Sequence, residues 1–237
     1  MHKPCLKCSS SDARYVYEDG SSYCFSCRTS FRGTVSPYTL PAKEKTSTAL
    51  PDDCSHDFPE HILKWVGQYD ISVAELIKNN VYYSAKRNQL IYSWQDDKGN
   101  TILWQARNFS PEAKSKCYTC GVPEDVLPLY GHQAGLIDRL VVVEDPVSAI
   151  KAARFGASMP CLGSDLSPNK LKRLQSVLGA FLRPSGKVVF WMDGNMFHKA
   201  QKMAQRMQLL GMDAVAVYTE EDPKACVEMK KVLDSVS

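Results

Sequence analysis

From Leu140 onward, short apolar runs alternate with stretches of helical period. The runs at 140–143, 157–162, 187–192 and 213–218 read as strands, and 147–154, 168–178, 197–210 and 225–233 as helices. Strands joined through helices need crossovers, and crossovers give a parallel sheet. Ligands of such a sheet bind beyond the carboxyl ends of its strands. Upstream the pattern differs. Between Pro59 and Asn80, Ile62, Leu63 and Val66 and then Ala74, Leu76 and Ile77 predict two short helices split near Gly67 to Asp70. Leu90 to Trp94 and Thr101 to Trp104 flank the polar, Gly-containing stretch Asp96 to Asn100 and predict a hairpin. Gly33 to Asp53 has prolines, Ser, Thr and Lys but no sustained apolar period, so it reads as a linker. The expected organisation is α/β: a Cys-rich module at 1–32, a linker at 33–53, a mixed subdomain at 54–135 and a mainly parallel α/β subdomain at 136–237.

Composition narrows the class without naming a function. Hydrophobic residues at 44% and charged residues at 23% are ordinary for a globular chain and exclude a disordered or fibrous one. The apolar runs, such as Leu140 to Val143, fall far short of the roughly 18–20 residues of a membrane span. Met1-His2-Lys3-Pro4-Cys5 lacks the apolar core of a signal peptide, so the expected location is the cytoplasm, with no membrane partner. The net charge of +3 permits a nucleic-acid partner without demanding one.

Nine cysteines without a secretory signal argue for metal or free thiols over disulfides. Cys5-Leu6-Lys7-Cys8 and Cys24-Phe25-Ser26-Cys27 form two C-x2-C pairs separated by a stretch long enough for a β-hairpin. Four thiolates suit a closed tetrahedral zinc site with no open position for catalysis. So small a module has little core, and metal binding would supply most of its folding free energy. Arg14, Tyr15, Tyr17 and Tyr23, with Lys7, Arg28 and Arg32 nearby, would either stack and clamp nucleic acid or merely pack the ribbon. Cys117-Tyr118-Thr119-Cys120 has no partner pair and precedes Gly121 and Pro123, so it reads as a strand and turn rather than a redox motif. The histidines are scattered and read as surface or packing residues.

Three carboxylates follow strands of the expected parallel sheet: Glu144 after 140–143, Asp193 after 187–192 with Asn195 close behind, and Asp222 after 213–218. Hard oxygen ligands gathered at one sheet edge suit magnesium, which can clamp phosphates in a displacement at phosphorus. Solvated charges at strand ends would look the same.

Val143-Glu144-Asp145-Pro146-Val147-Ser148-Ala149 and Phe190-Trp191-Met192-Asp193-Gly194-Asn195 resemble the glutamate and DxD motifs of the toprim fold. That fold serves several activities, so alone it leaves function open. Preceded by the cysteine module and a mixed segment, it resembles the primase half of bacteriophage primase-helicases over nearly the whole chain. Tyr17-Glu18-Asp19-Gly20 before Tyr23-Cys24-Phe25-Ser26-Cys27, Gln105-Ala106-Arg107-Asn108 and Lys116 to Gly121 match family positions. The resemblance implies magnesium- or manganese-dependent synthesis of RNA primers on single-stranded DNA from nucleoside triphosphates. Glu144 would serve the attacking 3′-hydroxyl, while Asp193, Asn195 and Asp222 would hold the metal. Arg107, Lys114 and Lys116 would line the groove for triphosphate or template phosphates. The zinc ribbon, through Cys5, Cys8, Cys24 and Cys27, would hold the template.

The chain departs from the family in carrying Asn195 for an Asp, Asp145 for a Gly and Ser148 for an acid. The first change removes a charge from the metal site. No G-x-x-x-x-G-K-[ST] occurs, so a separate replicative helicase and a DNA polymerase are the expected partners. A non-catalytic single-stranded-DNA or helicase-binding factor and a toprim nuclease are the competing readings.

Overall fold

The computed structural model describes residues 2–5, 7–17, 21–31, 47–131, 136–163 and 165–236. They fall into two compact units, one within Met1–Thr46 and one spanning Ser47–Ser237. Most of the stretch read as linker, and Arg32 with it, lies outside the described residues.

The first unit is an antiparallel ribbon of β1 (His2–Lys3), β2 (Arg14–Val16), β3 (Ser22–Cys24) and β4 (Thr29–Phe31), paired in chain order. Each C-x2-C pair ends in a tight turn. Ser9 and Arg28, one residue past each pair, sit in the left-handed region at φ 56° and 53°. A side chain there costs roughly 1–2 kcal/mol, a strain that a bound metal can offset in a unit with so little core.

The second unit begins with an antiparallel sheet of β5 (Cys54–Ser55), β6 (Val81–Ser84), β7 (Gln89–Gln95), β8 (Thr101–Asn108) and β9 (Cys117–Gly121), again in chain order. The expected hairpin is β7–β8. The expected helices are α1 (Glu60–Gly67) and α2 (Val73–Lys78), split where proposed by a turn at Tyr69–Asp70. A capping box starts α2: Ser72 Oγ accepts from the Glu75 N–H, and a Glu75 carboxylate oxygen accepts from the Ser72 N–H at 2.9 Å. Residues 47–53 belong to this unit rather than hanging free. The Thr48 hydroxyl donates to the Thr101 carbonyl, and the Asp53 carboxylate accepts from Ser84 Oγ and the Lys86 N–H at 2.8 Å each.

The parallel sheet is present as expected. It consists of β10 (Ile137–Val143), β11 (Ala157–Pro160), β12 (Leu182–Phe190) and β13 (Ala214–Ala216), in the order β11-β10-β12-β13, every pairing parallel. Its helices are α3 (Pro146–Ala152), α4 (Pro168–Phe181), α5 (Phe197–Leu209) and α6 (Met229–Asp234). Boundaries differ from the sequence reading in several places. β11 stops at Pro160, β12 starts at Leu182 and ends at Phe190, β13 spans only Ala214–Ala216, and α6 begins at Met229 because 222–226 forms turns in which Ala225 and Cys226 donate to the Asp222 carbonyl.

Strand alternation sorts the core into two layers. Val141, Val143, Val189 and Trp191 face one way, onto α3, α6 and the antiparallel sheet with Leu90, Tyr92, Trp94 and Leu103. Leu140, Val142, Val188 and Phe190 face the other way, onto α4 and α5 through Leu174, Leu178, Met203 and Met207. Burial on both faces explains why these strands read as continuous apolar runs. Among the described residues, no helix is long and apolar enough to cross a membrane.

Candidate active site

In the ribbon unit, the donor sulfurs of Cys5, Cys8, Cys24 and Cys27 all lie within 4.8 Å of one another. Cys5 Sγ is 3.7 Å from Cys27 Sγ, and Cys8 Sγ is 3.7 Å from Cys24 Sγ. A tetrahedron with zinc–sulfur bonds of about 2.3 Å has edges of about 3.8 Å, so the four thiols have the dimensions of a zinc site. Hydrogen bonds from the backbone N–H groups of Cys8 and Lys7 lower the Cys5 thiol to about 6, whereas Cys24, despite a bond from the Cys27 N–H, is raised to about 11 by burial and by its hydrogen bonds with Cys5 and Cys27. Tyr17 and Phe25 are exposed on the ribbon, and Tyr15 packs edge-on against Tyr17 at 5.2 Å between ring centres. Tyr23 packs edge-on against Phe25 at 5.1 Å.

In the second unit, the chain leaves β10 for β11 on one side and reaches β12 on the other. The strand order therefore reverses between β10 and β12, which is where open α/β sheets bind ligands. Glu144 directly follows β10, and Asp193 stands three residues beyond the end of β12. Asp222 lies farther from its strand, on the loop after β13. That loop is pinned: Trp191 Nε1 donates to Thr219 Oγ1 at 2.8 Å, and Thr219 Oγ1 donates to the Glu221 carbonyl at 2.7 Å. The turn carrying Asp193 passes so close that a Cβ on Gly194 would meet the Thr219 carbonyl oxygen at 3.1 Å.

The structure gathers Asp145, Asp193 and Asp222 around one charge that sequence reasoning missed. Lys224 Nζ lies 3.1 Å from Asp145 Oδ2, 3.2 Å from Asp222 Oδ2 and 3.9 Å from Asp193 Oδ2. Burial would lower the Lys224 pKa, but the charges of Asp145 and Asp193, with Asp222 behind them, hold it well above the ordinary lysine range. Asp145 has a second task. As N-cap of α3 it accepts from the N–H groups of Val147 at 2.9 Å and Ser148 at 3.1 Å, and from Ser148 Oγ at 2.9 Å. Ser148 is thus a cap partner and fully buried.

Glu144 Oε2 and Asp193 Oδ1 are buried without a hydrogen-bond partner. Burial raises the Glu144 pKa, and the Asp193 charge raises it further; burial likewise raises Asp193, against the pull of Lys224. Two half-buried carboxylates with unpaired oxygens and mutual repulsion are chemically suited to a divalent cation. Among the described residues, however, only the four cysteines bring three or more Cys, His, Asp or Glu donor atoms within 4.8 Å. The carboxylates stand wider apart, with an ammonium among them. Asn195 is exposed in the turn Gly194–Met196.

The basic candidates divide. Arg107, on β8, lays its guanidinium over the Trp65 ring at 4.3 Å and near Phe109 at 5.8 Å. Lys116, just before β9, is exposed, and its charge adds a small pull to that of Lys224 against the burial that raises Asp193. Lys114 is exposed in the loop before it, with no described contact to the carboxylates. Cys117 and Cys120 form part of β9, where positions three apart face opposite ways, and Cys120 Sγ turns toward the Ser47 carbonyl at 3.6 Å. They form no redox pair.

No protein-family model matches the chain, and no curated protein matches it in sequence. Solved structures match in fold. The primase fragment of the bacteriophage T7 primase-helicase protein superposes with a TM-score of 0.53 at 14% identity, covering 99% of this chain and 98% of that one. The Aquifex aeolicus primase, comprising zinc-binding and RNA polymerase domains, gives 0.58 at 15% identity, covering 99% and 77%. A DnaG primase catalytic domain bound to single-stranded DNA gives 0.56 at 13% identity, covering 73% and 69%. The chain therefore has a primase-like α/β fold: a zinc-ribbon-like sheet followed by a core with a four-stranded parallel sheet.

Proposed function

We propose that the chain is a DNA primase that makes short RNA primers on single-stranded DNA, as in phage replication, by magnesium-dependent nucleotidyl transfer. The observation that carries this reading is the pair Glu144 and Asp193, placed at the order reversal of the parallel sheet with unpaired buried oxygens. Glu144, Asp193 and Asp222, with Asn195 at the rim, would hold the metal. Magnesium, or manganese in its place, would neutralise the triphosphate as its charge redistributes. Glu144, made more basic by burial and by Asp193, is suited to accept the proton of the attacking 3′-hydroxyl. Arg107, Lys114 and Lys116 supply fixed positive charge for template or triphosphate phosphates. Zinc in the ribbon would keep the exposed Tyr17 and Phe25 in place to stack on template bases.

On this reading residues 1–32 are the template-binding ribbon, 33–53 a tether, 54–135 the N-terminal subdomain of the polymerase core, bearing the basic candidates Arg107, Lys114 and Lys116, and 136–237 its toprim half. A separate replicative helicase and a DNA polymerase are the proposed partners, and the host cytoplasm the place of work. Lys224 among the carboxylates favours one second reading, a single-stranded-DNA or helicase-binding factor without catalysis.

The test is incubation with single-stranded DNA, nucleoside triphosphates and magnesium, with products sequenced from their 5′ ends. Short oligoribonucleotides of defined start are expected. Absence of extension across varied templates and metals, with a helicase added, would leave only the binding reading, and DNA cleavage in place of extension would make the site a nuclease.

A further inference from the structure

Lys224 is held in place from two directions. Its backbone carbonyl accepts from Lys151 Nζ at 2.7 Å, and its own Nζ donates to Asp145 Oδ2 at 3.1 Å. Lys151 and Asp145 belong to opposite ends of the same short helix, α3, and Lys151 is itself buried. The lysine is thus clamped along its length, with only 17% of its side chain exposed. A long side chain so confined loses rotamer entropy that a merely solvated surface charge keeps.

Its position divides the carboxylates. Asp193 turns Oδ2 toward the ammonium at 3.9 Å and keeps Oδ1 buried and unpartnered. Asp145 and Asp222 turn to the ammonium. Glu144, whose Oε2 is also buried and unpartnered, makes no described contact with it. The cluster therefore has one side already neutralised and one side open, with Asp193 shared between them.

Resting on the reading of this cluster as a divalent-cation site, we propose that Lys224 permanently occupies the place of one cation, so that the site takes a single divalent ion between Glu144 and Asp193. Asn195 fits this arrangement. A carboxylate there would add negative charge suited to a second ion, and the amide does not. Lys224 acts here as a positioning residue, through its ion pairs with Asp193 and Asp222.

The experiment counts manganese on the full-length, zinc-loaded protein, by loss of the free-ion paramagnetic signal and by calorimetry. The wild type is expected to bind one Mn²⁺, and Glu144→Gln to weaken it by roughly tenfold or more. Lys224→Met, which keeps the length and removes the charge, is expected to bind two, with the dipolar broadening of a close pair. Lys224→Arg should return the count to one. Two ions on the wild type would overturn the lysine assignment while leaving the cation site standing. So would a Lys224→Met protein, folded by circular dichroism, that binds one ion with wild-type affinity. No binding to the wild type at millimolar Mn²⁺ would overturn both. The wild-type count decides the question even if Lys224→Met fails to fold.

Discussion

Arg154, just past α3, grips Glu75 of α2 with two parallel hydrogen bonds, Nε to Oε1 at 2.6 Å and Nη2 to Oε2 at 2.9 Å. The same guanidinium reaches Asp70, bonding its carboxylate at 2.9 Å and also its backbone carbonyl. Glu75 is the acidic member of the α2 capping box. One arginine thus ties the parallel-sheet half of the second unit to the helical turn that opens the antiparallel half. Both side chains are about a quarter exposed, so the pair is worth more than a surface ion pair and less than a dry one.

Replacing Arg154 with Ala should destabilise the protein by about 1–2 kcal/mol, a fall in Tm of about 2–8 °C for a unit of this size. Glu75 also sets an acid limit. Burial would raise its pKa, but hydrogen bonds from Arg154 and from Ser72 hold it at about 2. A carboxyl depressed in the folded state stabilises above its unfolded pKa of about 4.3 and loses that contribution as pH falls toward 2. Thermal melts of the wild type should therefore drop through this window, and Glu75→Gln should drop less. Equal slopes for the two proteins would refute the assignment.

Zinc removal should act on the first unit alone. With Ser9 and Arg28 strained and the four sulfurs packed at tetrahedral distances, chelation leaves the ribbon without its cohesive centre. Amide exchange in 2–31 should become unprotected after chelator treatment, while protection in β10 and β12 stays unchanged. Persistence of protected amides in β2 and β3 without metal would count against a metal-dependent ribbon. Cys24→Ser should reproduce the chelated state.

The parts of this fold that could be read from sequence are those where one physical signal dominates. Leu140 to Val143 is buried on both faces, so its run is unbroken and its strand unmistakable. The start of β12 at Leu182 was hidden because Arg183-Pro184-Ser185-Gly186 is polar and turn-like, and the sheet accommodates it with a register shift between Ile137 and Arg139. β6 was missed because Asn80, at φ 53°, turns the chain directly from α2 into the strand with no glycine or proline as a marker. Glu144, Asp193 and Asp222 could be picked out because they follow strands. Lys224 could not. No periodicity reports which acids a lysine will neutralise when Asp145 is 79 residues away in sequence.

Glu144→Gln should separate stability from activity. In the metal-free protein a carboxyl whose folded pKa is raised favours folding below its unfolded pKa, and this benefit is lost as pH rises through the folded value. At neutral pH the charge of Glu144 is thus a burden, from burial first and Asp193 second. The glutamine variant should melt higher, by no more than about 2–4 °C, since solvent reaching the site screens part of the repulsion. The increase should vanish in mild acid, where wild-type Glu144 is protonated. Primer synthesis should fall by at least about a hundredfold. A lower melting point at neutral pH would mean that Glu144 is held by contacts the substitution breaks.

Arg107 offers a sharper test of the basic surface than the lysines do. Its guanidinium carbon sits over the Trp65 ring at 4.3 Å, and its Nε is buried without a partner. A planar cation stacked on an aromatic face is pre-oriented for a phosphate, whereas an ammonium on a flexible stem is not. Arg107→Lys, though charge-conserving, should therefore weaken single-stranded DNA binding nearly as much as Arg107→Ala. Trp65→Leu should weaken it too, by releasing the guanidinium. If Arg107 meets one phosphate, Arg107→Ala should flatten the plot of log affinity against log salt by about 0.7. Lys116→Ala should flatten it by a similar amount without sensitivity to Trp65. Full affinity in Arg107→Lys would mean that charge alone matters there and that the stacking serves the core.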